Sequence, residues 1–172
     1  MNSSIINKIK QEVINEIISN NDIVEAIDNK DMKNEDWTPL YLLDVSATRE
    51  SGYTPSVYTF IKVPSTVDTN ATVLCVAVDE YGDSNSPLVE AKLTIYIITH
   101  KEHMYINSPT ITENRNDYIG RLLDLALNGK KDVALGKIFL SSSTEVSYDE
   151  TFLMRTLIFR CSDISNSACN NA

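Results

Sequence analysis

The chain has 172 residues, and its 24 acidic and 15 basic side chains give a formal net charge of -9 at pH 7. This charge argues against a general nucleic-acid binder, because such proteins use Lys and Arg to neutralise phosphates. The 42% apolar fraction is typical of a folded chain. The length suits one domain, residues 1 to 163, followed by a mobile tail at 164 to 172.

The three cysteines, at positions 75, 161 and 169, show no CxxC spacing and leave one unpaired. The number and spacing of the cysteines therefore indicate neither a zinc site nor a disulfide framework. They are consistent with a protein from a reducing compartment. The first ten residues alternate polar and apolar types, unlike a signal peptide. No apolar run reaches the ~18 residues of a membrane span. We expect a soluble protein that is made in a cytoplasm.

The N-terminal stretch predicts two helices. An apolar stripe at helical spacing continues to about residue 19 and is formed by Ile6, Ile9, Val13 and Ile17. The AsnAsnAsp sequence at 20 to 22 ends this helix and can cap a short second one that runs to Ile27.

Residues 28 to 55 predict an extended arm or loop. Charged and turn-forming residues dominate it, but Trp37, Leu40 and Tyr41 belong to an apolar segment within it. Connections of this length are usually functional or partly disordered. The apolar segment either covers the edge of this chain's own core or contacts a neighbouring subunit, and both interpretations stay open.

Three strands are predicted next, at 57 to 63, 71 to 79 and 91 to 100. The second is apolar on both faces, which favours a central position, whereas the third has one wetter face. Asp79, Glu80 and Asp83 are predicted to lie in a long polar turn. Their spacing matches no EF-hand, so we interpret this turn as solvated and able to make contacts.

His100 and His103 follow the third strand in the sequence HisLysGluHis. Two imidazoles without a third ligand nearby make a poor metal site. We therefore predict that both histidines lie in a solvated loop.

Residues 112 to 129 predict an amphipathic helix that begins at Thr112 or Asn114 and ends near Gly129. Its inward positions are Ile119, Leu122, Leu123 and Ala126. Asp117 and Arg121 are expected to form an ion pair on the outer side. Gly120 weakens a helix, which marks it as a position where another backbone approaches closely.

Two more strands complete the chain. The first passes through residues 138 to 140, and a polar run from 141 to 150 then projects from it. The last strand, from Thr151 to Cys161, is apolar on both faces apart from Arg155 and Arg160. We expect it to be central or covered by a neighbour.

Motifs of common enzyme chemistry do not occur in the sequence. Neither GxxxxGK[ST] nor GxGxxG is present. Cys75, in the most apolar strand, is formally able to pair with a histidine but is interpreted as a small buried hydrophobe. We expect no catalytic residue, cofactor or metal, and no enzyme activity.

These elements together predict an α+β fold: one domain with a mixed, largely antiparallel sheet of about five strands. An N-terminal helix and a second helix pack on one face. A resemblance to a known family rests on three features of the sequence. These are the element order, the helix ArgAsnAspTyrIleGlyArgLeuLeu, and the two closing strands, GlyLysIlePheLeu and the one ending PheArgCysSerAsp. Over about residues 1 to 163 the chain resembles tail terminator and related neck or head-tail connector ring proteins of tailed bacteriophages. The segment from 28 to 55 is longer than that family leads us to expect.

The resemblance implies a structural virion protein that is made in the bacterial host cytoplasm. Its subunits, six or a multiple of six, would form a ring between the portal side of the head and the tail. It would contact other neck, portal-side and tail proteins, and genomic DNA would pass through the lumen without specific binding. An acidic protein suits such a channel. Candidate contacts between subunits or rings are Trp37, Leu40, Tyr41, Asp79, Glu80, Asp83, Glu145, Tyr148, Asp149 and Glu150.

Two other classes stay open on the sequence. One is a small cytoplasmic α+β enzyme or ligand-binding domain with a pocket between sheet and helices. The other is an acidic adaptor or inhibitor that binds a basic partner.

Overall fold

The computed structural model describes residues 3–28, 56–62, 71–82, 89–131 and 136–162. The helices within these ranges are α1 (Ser3–Ser19), α2 (Asn21–Ile27) and α3 (Arg115–Leu127), and a 3-10 helix spans Lys101–His103. The strands are β1 (Val57–Tyr58), β2 (Thr72–Gly82), β3 (Val89–His100), β4 (Lys137–Ser147) and β5 (Phe152–Ser162). This is the α+β architecture that the sequence predicts. None of the described helices is long and apolar enough to cross a membrane.

The five strands form one sheet in the order β1-β2-β3-β5-β4. Only the β1–β2 pair is parallel, and the other three pairs are antiparallel. The mixed, largely antiparallel sheet is therefore confirmed. β5 lies between β3 and β4, which confirms its predicted central position. β2 pairs with β3 along its whole length. On the other side of β2, β1 pairs only with Leu74 and Cys75.

The three helices pack on one face of the sheet around a single apolar core. The predicted stripe of α1 is buried at Ile9, Val13 and Ile17, and the predicted face of α3 is buried at Ile119 and Leu123. Each large apolar side chain that is fully removed from water contributes about 1.5–3 kcal/mol. The helical periodicity of the sequence therefore identified the faces that build this core.

Asparagine side chains begin both shorter helices. The Asn20 side-chain oxygen accepts hydrogen bonds from the backbone N–H groups of Asp22 and Ile23, at 3.1 and 3.3 Å. The Asn114 side-chain oxygen accepts one from the Asp117 backbone N–H at 2.9 Å. These contacts satisfy N–H groups that have no partner inside the helix. Both caps are as predicted, with Asn114 rather than Thr112 at the start of α3.

The opposite face of the sheet carries a smaller apolar cluster, formed by Val73, Cys75, Ile98 and Phe152. Because Thr94 and Ile98 of β3 are also buried on this face, its predicted wetter character is wrong in the middle of the sheet. The Cys75 thiol accepts a hydrogen bond from the Lys62 backbone N–H at 3.3 Å, and burial raises its pKa. Burial also raises the pKa of Tyr58 to about 12. Cys75 is thus the buried small side chain that the sequence predicts.

The strand bounds differ from the prediction at two places. The strand predicted at 57 to 63 pairs with β2 only at Val57 and Tyr58. β2 continues through Gly82 because β3 already begins at Val89 and pairs with it to the end. Asp79 therefore lies in the strand, not in a solvated turn, and its carboxylate is 3.2 Å from the Lys92 ammonium. Glu80 is likewise a strand residue, opposite Ala91.

The polar run after residue 140 does not project from the sheet. β4 continues through Ser147, and its residues from Ser142 onward pair with β5. The turn itself is closed by Asp149, whose carboxylate accepts hydrogen bonds from the backbone N–H groups of Thr151 and Phe152, at 2.6 and 2.7 Å. The predicted projection is therefore the outer strand of the sheet, and only the turn extends beyond it.

Candidate functional site

β4 is the outer strand at one edge of the described sheet, and the first half of its outer backbone edge is covered. The Ile138 N–H donates to the Lys130 carbonyl at 3.0 Å, and the Ile138 carbonyl accepts from the Gly129 N–H at 2.7 Å. The Leu140 N–H donates to the Asn128 side-chain oxygen at 3.2 Å. The segment that follows α3 thus closes this half of the edge. Gly129 can turn the chain there because it adopts φ 82°, which glycine tolerates.

The second half of β4 presents its backbone outward. The pairing register shifts between Leu140 and Ser142, and the Tyr148 N–H donates to the Phe152 carbonyl at 3.0 Å. Because inward and outward groups alternate along a strand, the N–H and C=O groups of Ser143, Glu145 and Ser147 point away from β5. Among the described residues, no backbone group pairs with them. We call residues 141 to 147 the open edge of β4.

Arg155 of β5 fixes the open edge of β4 against α3. Its guanidinium donates to the Ser143 hydroxyl and the Glu145 carboxylate, each at 2.9 Å, and also to the Asp117 carboxylate of α3. Asp117 is therefore engaged by Arg155, and the predicted pair with Arg121 is wrong. Arg121 instead lies 3.0 Å from the Glu113 carboxylate.

Gly120 makes room for the Arg155 side chain. A Cβ atom at position 120 would lie 2.9 Å from Arg155 Cδ, closer than real Cβ contacts occur. The predicted close approach at Gly120 is therefore present, but a side chain approaches and not a backbone. The reason is that α3 packs against β5 at this point, and the long Arg155 side chain fits only beside a helix residue without a Cβ atom.

Replacing Gly120 with Ala is expected to destabilise the chain by about 1–2 kcal/mol, because the new methyl group displaces Arg155 from its acidic partners. In an Arg155→Ala background the same replacement should stabilise by up to ~1 kcal/mol, since Ala favours the helix. Urea unfolding of the four chains measures both effects. If Gly120→Ala changes stability equally in both backgrounds, Arg155 is not the group that requires glycine.

The end of β4 and the β4–β5 turn contain four of the predicted contact residues, Glu145, Tyr148, Asp149 and Glu150. Glu145 and Asp149 already have structural roles, with Arg155 and with the turn backbone respectively. The Glu150 carbonyl accepts from the Lys101 ammonium, and Tyr148 is exposed. Glu145, Asp149 and Glu150 are exposed, so their carboxylates share this surface with Tyr148 and the backbone.

The other predicted contact residues do not join this group. Asp79 and Glu80 belong to β2, which β3 and β5 separate from β4. Trp37, Leu40, Tyr41 and Asp83 lie outside the described residues. The arm predicted at 28 to 55 also lies outside them apart from Asp28.

Arg115 lies in a buried polar cluster at the end of the sheet near the β4–β5 turn, and it is only 4% exposed. Its guanidinium donates to the carbonyls of His103 and Tyr105, at 2.6 and 3.3 Å, and to the Ala26 carbonyl at the end of α2. Sequence reasoning missed this residue. A signal was present, because a cation in the first turn of a helix is unfavourable unless other groups compensate it.

His103 completes this cluster and is buried, as is His100, so the predicted solvated loop is wrong. The His103 ring is 2.9 Å from the Thr72 hydroxyl through Nδ1 and 3.5 Å from the Asp28 carboxylate through Nε2. Burial, with the nearby Arg115 charge, lowers the pKa of His103, although Asp28 acts in the opposite direction. The cluster therefore connects α2, the 3-10 helix and the sheet through hydrogen bonds and close polar contacts. Among the described residues, no group of three or more His, Cys, Asp or Glu side chains is arranged to hold a metal ion.

Comparison with known proteins gives one family. The family model YomW matches residues 12–161. The chain belongs to the YomW family. The matched span of this YomW chain includes α1 from Glu12 onward and all of the described sheet except Ser162.

This YomW chain was also compared with the curated proteins and with solved structures. A search of the curated proteins finds no match. Among solved structures, a chain of "Virion of native gene transfer agent (GTA) particle" is similar to it with a TM-score of 0.39 and 15% identity. The similarity covers 70% of this chain and 87% of that chain.

Proposed function

We propose that this protein is a structural component of a bacteriophage virion. Its copies form a ring at the neck or tail, as a tail terminator or an adjacent ring protein. The observation that carries the proposal is the open edge of β4, a seven-residue strand segment whose outward backbone groups have no described partner. The resemblance of the element order to terminator and neck ring proteins supports the phage assignment.

An open strand edge favours assembly because unpaired N–H and C=O groups bind another strand readily. Soluble monomers block such edges with charges, proline or short strands. Residues 141 to 147 contain one charged side chain, Glu145, and it is already paired with Arg155. Strand addition to an edge of this kind is a common mode of protein association.

A ring of identical subunits requires two different contact surfaces on each copy. The open edge of β4 supplies one of them. With a net charge of -9, the assembled ring would present an acidic lumen that repels the DNA backbone and lets it slide. Other neck, portal-side and tail proteins would contact the two ends of the ring.

Light scattering and electron microscopy test this proposal. The 19.3 kDa chain is expected to form six-fold rings, or a multiple of six, either alone or after addition of phage heads or tails, and to be found in purified virions. A chain that stays monomeric under all of these conditions and is absent from virions would favour the adaptor or enzyme class.

A further inference from the structure

Two groups of exposed apolar side chains lie at opposite edges of the sheet. One is formed by Phe60 and Ile61, which follow β1, and the other by Val146 and Tyr148 at the end of β4. These four side chains are 36–57% exposed. Single exposed apolar residues are ordinary on a protein surface, whereas adjacent ones mark contact sites. Because β1 and β4 are the outermost strands of the described sheet, the two groups face different neighbours.

Each group has a charged residue beside it. Lys62 follows Ile61, and its ammonium lies over the Tyr58 ring, 5.8 Å from the centroid. Glu150 follows the other group, and its carbonyl accepts a hydrogen bond from Lys101. Among the described residues, no carboxylate pairs with Lys62 and no cation pairs with the Glu150 carboxylate. We call Phe60, Ile61 and Lys62 the β1 patch, and Val146, Tyr148 and Glu150 the turn patch.

We propose that the β1 patch of one copy binds the turn patch of the next copy. The apolar side chains of the two patches pack against each other, and the Lys62 ammonium pairs with the Glu150 carboxylate. An apolar centre with charged groups at its rim is the usual composition of a protein interface. This inference rests on the proposed ring and supplies the second contact surface that a ring requires.

The β1 patch lies on the face of the sheet away from the helices. The Lys62 N–H donates to the Cys75 thiol, and Cys75 belongs to the apolar cluster on that face. The Phe60 ring meets the Tyr58 ring edge to face, with centroids 5.5 Å apart, and Tyr58 packs against the same cluster. The segment after β1 therefore places its exposed side chains beside this cluster.

The turn patch shares this face. Val146 lies opposite Met154, which packs against the same apolar cluster. Opposed residues project to one face, as do side chains two positions apart in a strand, so Val146 and Tyr148 project together. Val146 belongs to the open edge of β4 and Tyr148 follows it directly. The turn patch is therefore continuous with the edge proposed for the ring contact.

The two patches also lie at about the same height along the strands. Lys62 contacts Cys75, and the strand register places Cys75 level with Thr144 of β4. Val146 is two residues beyond Thr144. Rotation about an axis roughly along the strands preserves this height. Such a rotation brings the β1 patch of one copy to the turn patch of the next without turning either subunit over.

A second copy of this chain is the partner that matches both patches. One patch combines an apolar pair with a cation, and the other combines an apolar pair with a carboxylate. A different acidic protein would match the β1 patch alone, and a basic one would match the turn patch alone. Because the net charge of -9 makes copies repel each other as a whole, an exposed lysine beside apolar side chains favours one docking position.

Exchange of the two charges tests the ion pair. Lys62→Glu and Glu150→Lys each place like charges opposite each other, and each should weaken ring assembly by about tenfold at low salt. Both substitutions in one chain should restore assembly, because every contact then carries the reversed pair. Lys131→Glu changes the net charge equally at another exposed lysine and should leave assembly unchanged. Sedimentation velocity measures these variants under the conditions in which the unmodified chain forms rings.

Removal of the apolar side chains tests the centre of the contact. Phe60→Ser with Ile61→Ser should weaken assembly by at least about tenfold, with an unchanged circular dichroism spectrum because both side chains are exposed. Tyr105→Ser with Leu125→Ser is the matched control. It removes one aromatic and one aliphatic side chain outside both patches that are even more exposed, at 77% and 73%. This control should assemble normally.

The outcomes separate this inference from the proposed ring. If Phe60→Ser with Ile61→Ser forms normal rings, or the combined charge exchange fails to restore assembly, the ring stands and the contact between the patches is overturned. If the variant rings form but no longer join phage heads or tails, the β1 patch binds another virion protein, and the contact between copies is again overturned. If the unmodified chain forms no ring even with phage heads or tails, the ring fails and this contact fails with it.

Discussion

Replacement of Arg115 with Met is expected to lower the free energy of unfolding by about 3–5 kcal/mol, because it removes a buried, hydrogen-bonded charge. The guanidinium donates to carbonyls of Ala26, His103 and Tyr105, which come from two separate segments, the end of α2 and the stretch at the end of the 3-10 helix. Met retains most of the apolar stem but donates no hydrogen bond. The carbonyls would therefore stay buried without their partner, which is costly. Urea unfolding followed by circular dichroism measures the loss.

Arg121→Met is the matched control, because it removes the same group from the same helix. Arg121 is 49% exposed in its ion pair with Glu113, and exposed pairs of this kind contribute at most about 1 kcal/mol. Arg115→Lys adds a second check, since one ammonium group cannot reach three carbonyls in the geometry of a guanidinium. Equal losses for Arg115→Met and Arg121→Met would show that the buried cluster does not connect these segments.

Replacement of Phe152 with Ala is expected to cost about 3–5 kcal/mol, the usual range for removing a buried aromatic ring. Phe152 is fully buried at the start of β5 and belongs to the cluster on the side of the sheet away from the helices. Its ring also meets His100 edge to face, with centroids 5.2 Å apart. Such pairs contribute beyond the buried area. Thermal and urea unfolding both report this loss.

Phe139→Ala supplies the comparison, because Phe139 lies on the adjacent strand and is 41% exposed. It should cost no more than about 1 kcal/mol, as expected for a partly exposed side chain. A small effect at Phe152 would mean that the second cluster contributes little and that one layer of helices stabilises the sheet.

The features that the sequence predicted correctly depend on residues close together in the chain. The stripe of α1, the Asn20 and Asn114 caps and the glycine after α3 each involve neighbours within about one or two helical turns. The central position of β5 also followed from its own composition. In these cases the side chains that decide the structure are adjacent in sequence.

The features that the sequence predicted wrongly depend on partners far along the chain. Polarity alone suggested a turn at Asp79 and a projection after Leu140, yet both segments are strands because β3 and β5 pair with them. A hydrogen-bonded ladder forms through the backbone and accepts polar side chains at an exposed edge. Composition therefore cannot distinguish a polar edge strand from a polar loop.

The candidate site shows the same division. Sequence patterns alone predicted the helix faces, the caps and a polar run from 141 to 150. The contacts of Arg155 with Asp117 and above Gly120, and the open edge at Ser143, follow from the folded structure. Strand pairing and guanidinium contacts join residues distant in sequence, whereas helical periodicity and capping act between neighbours.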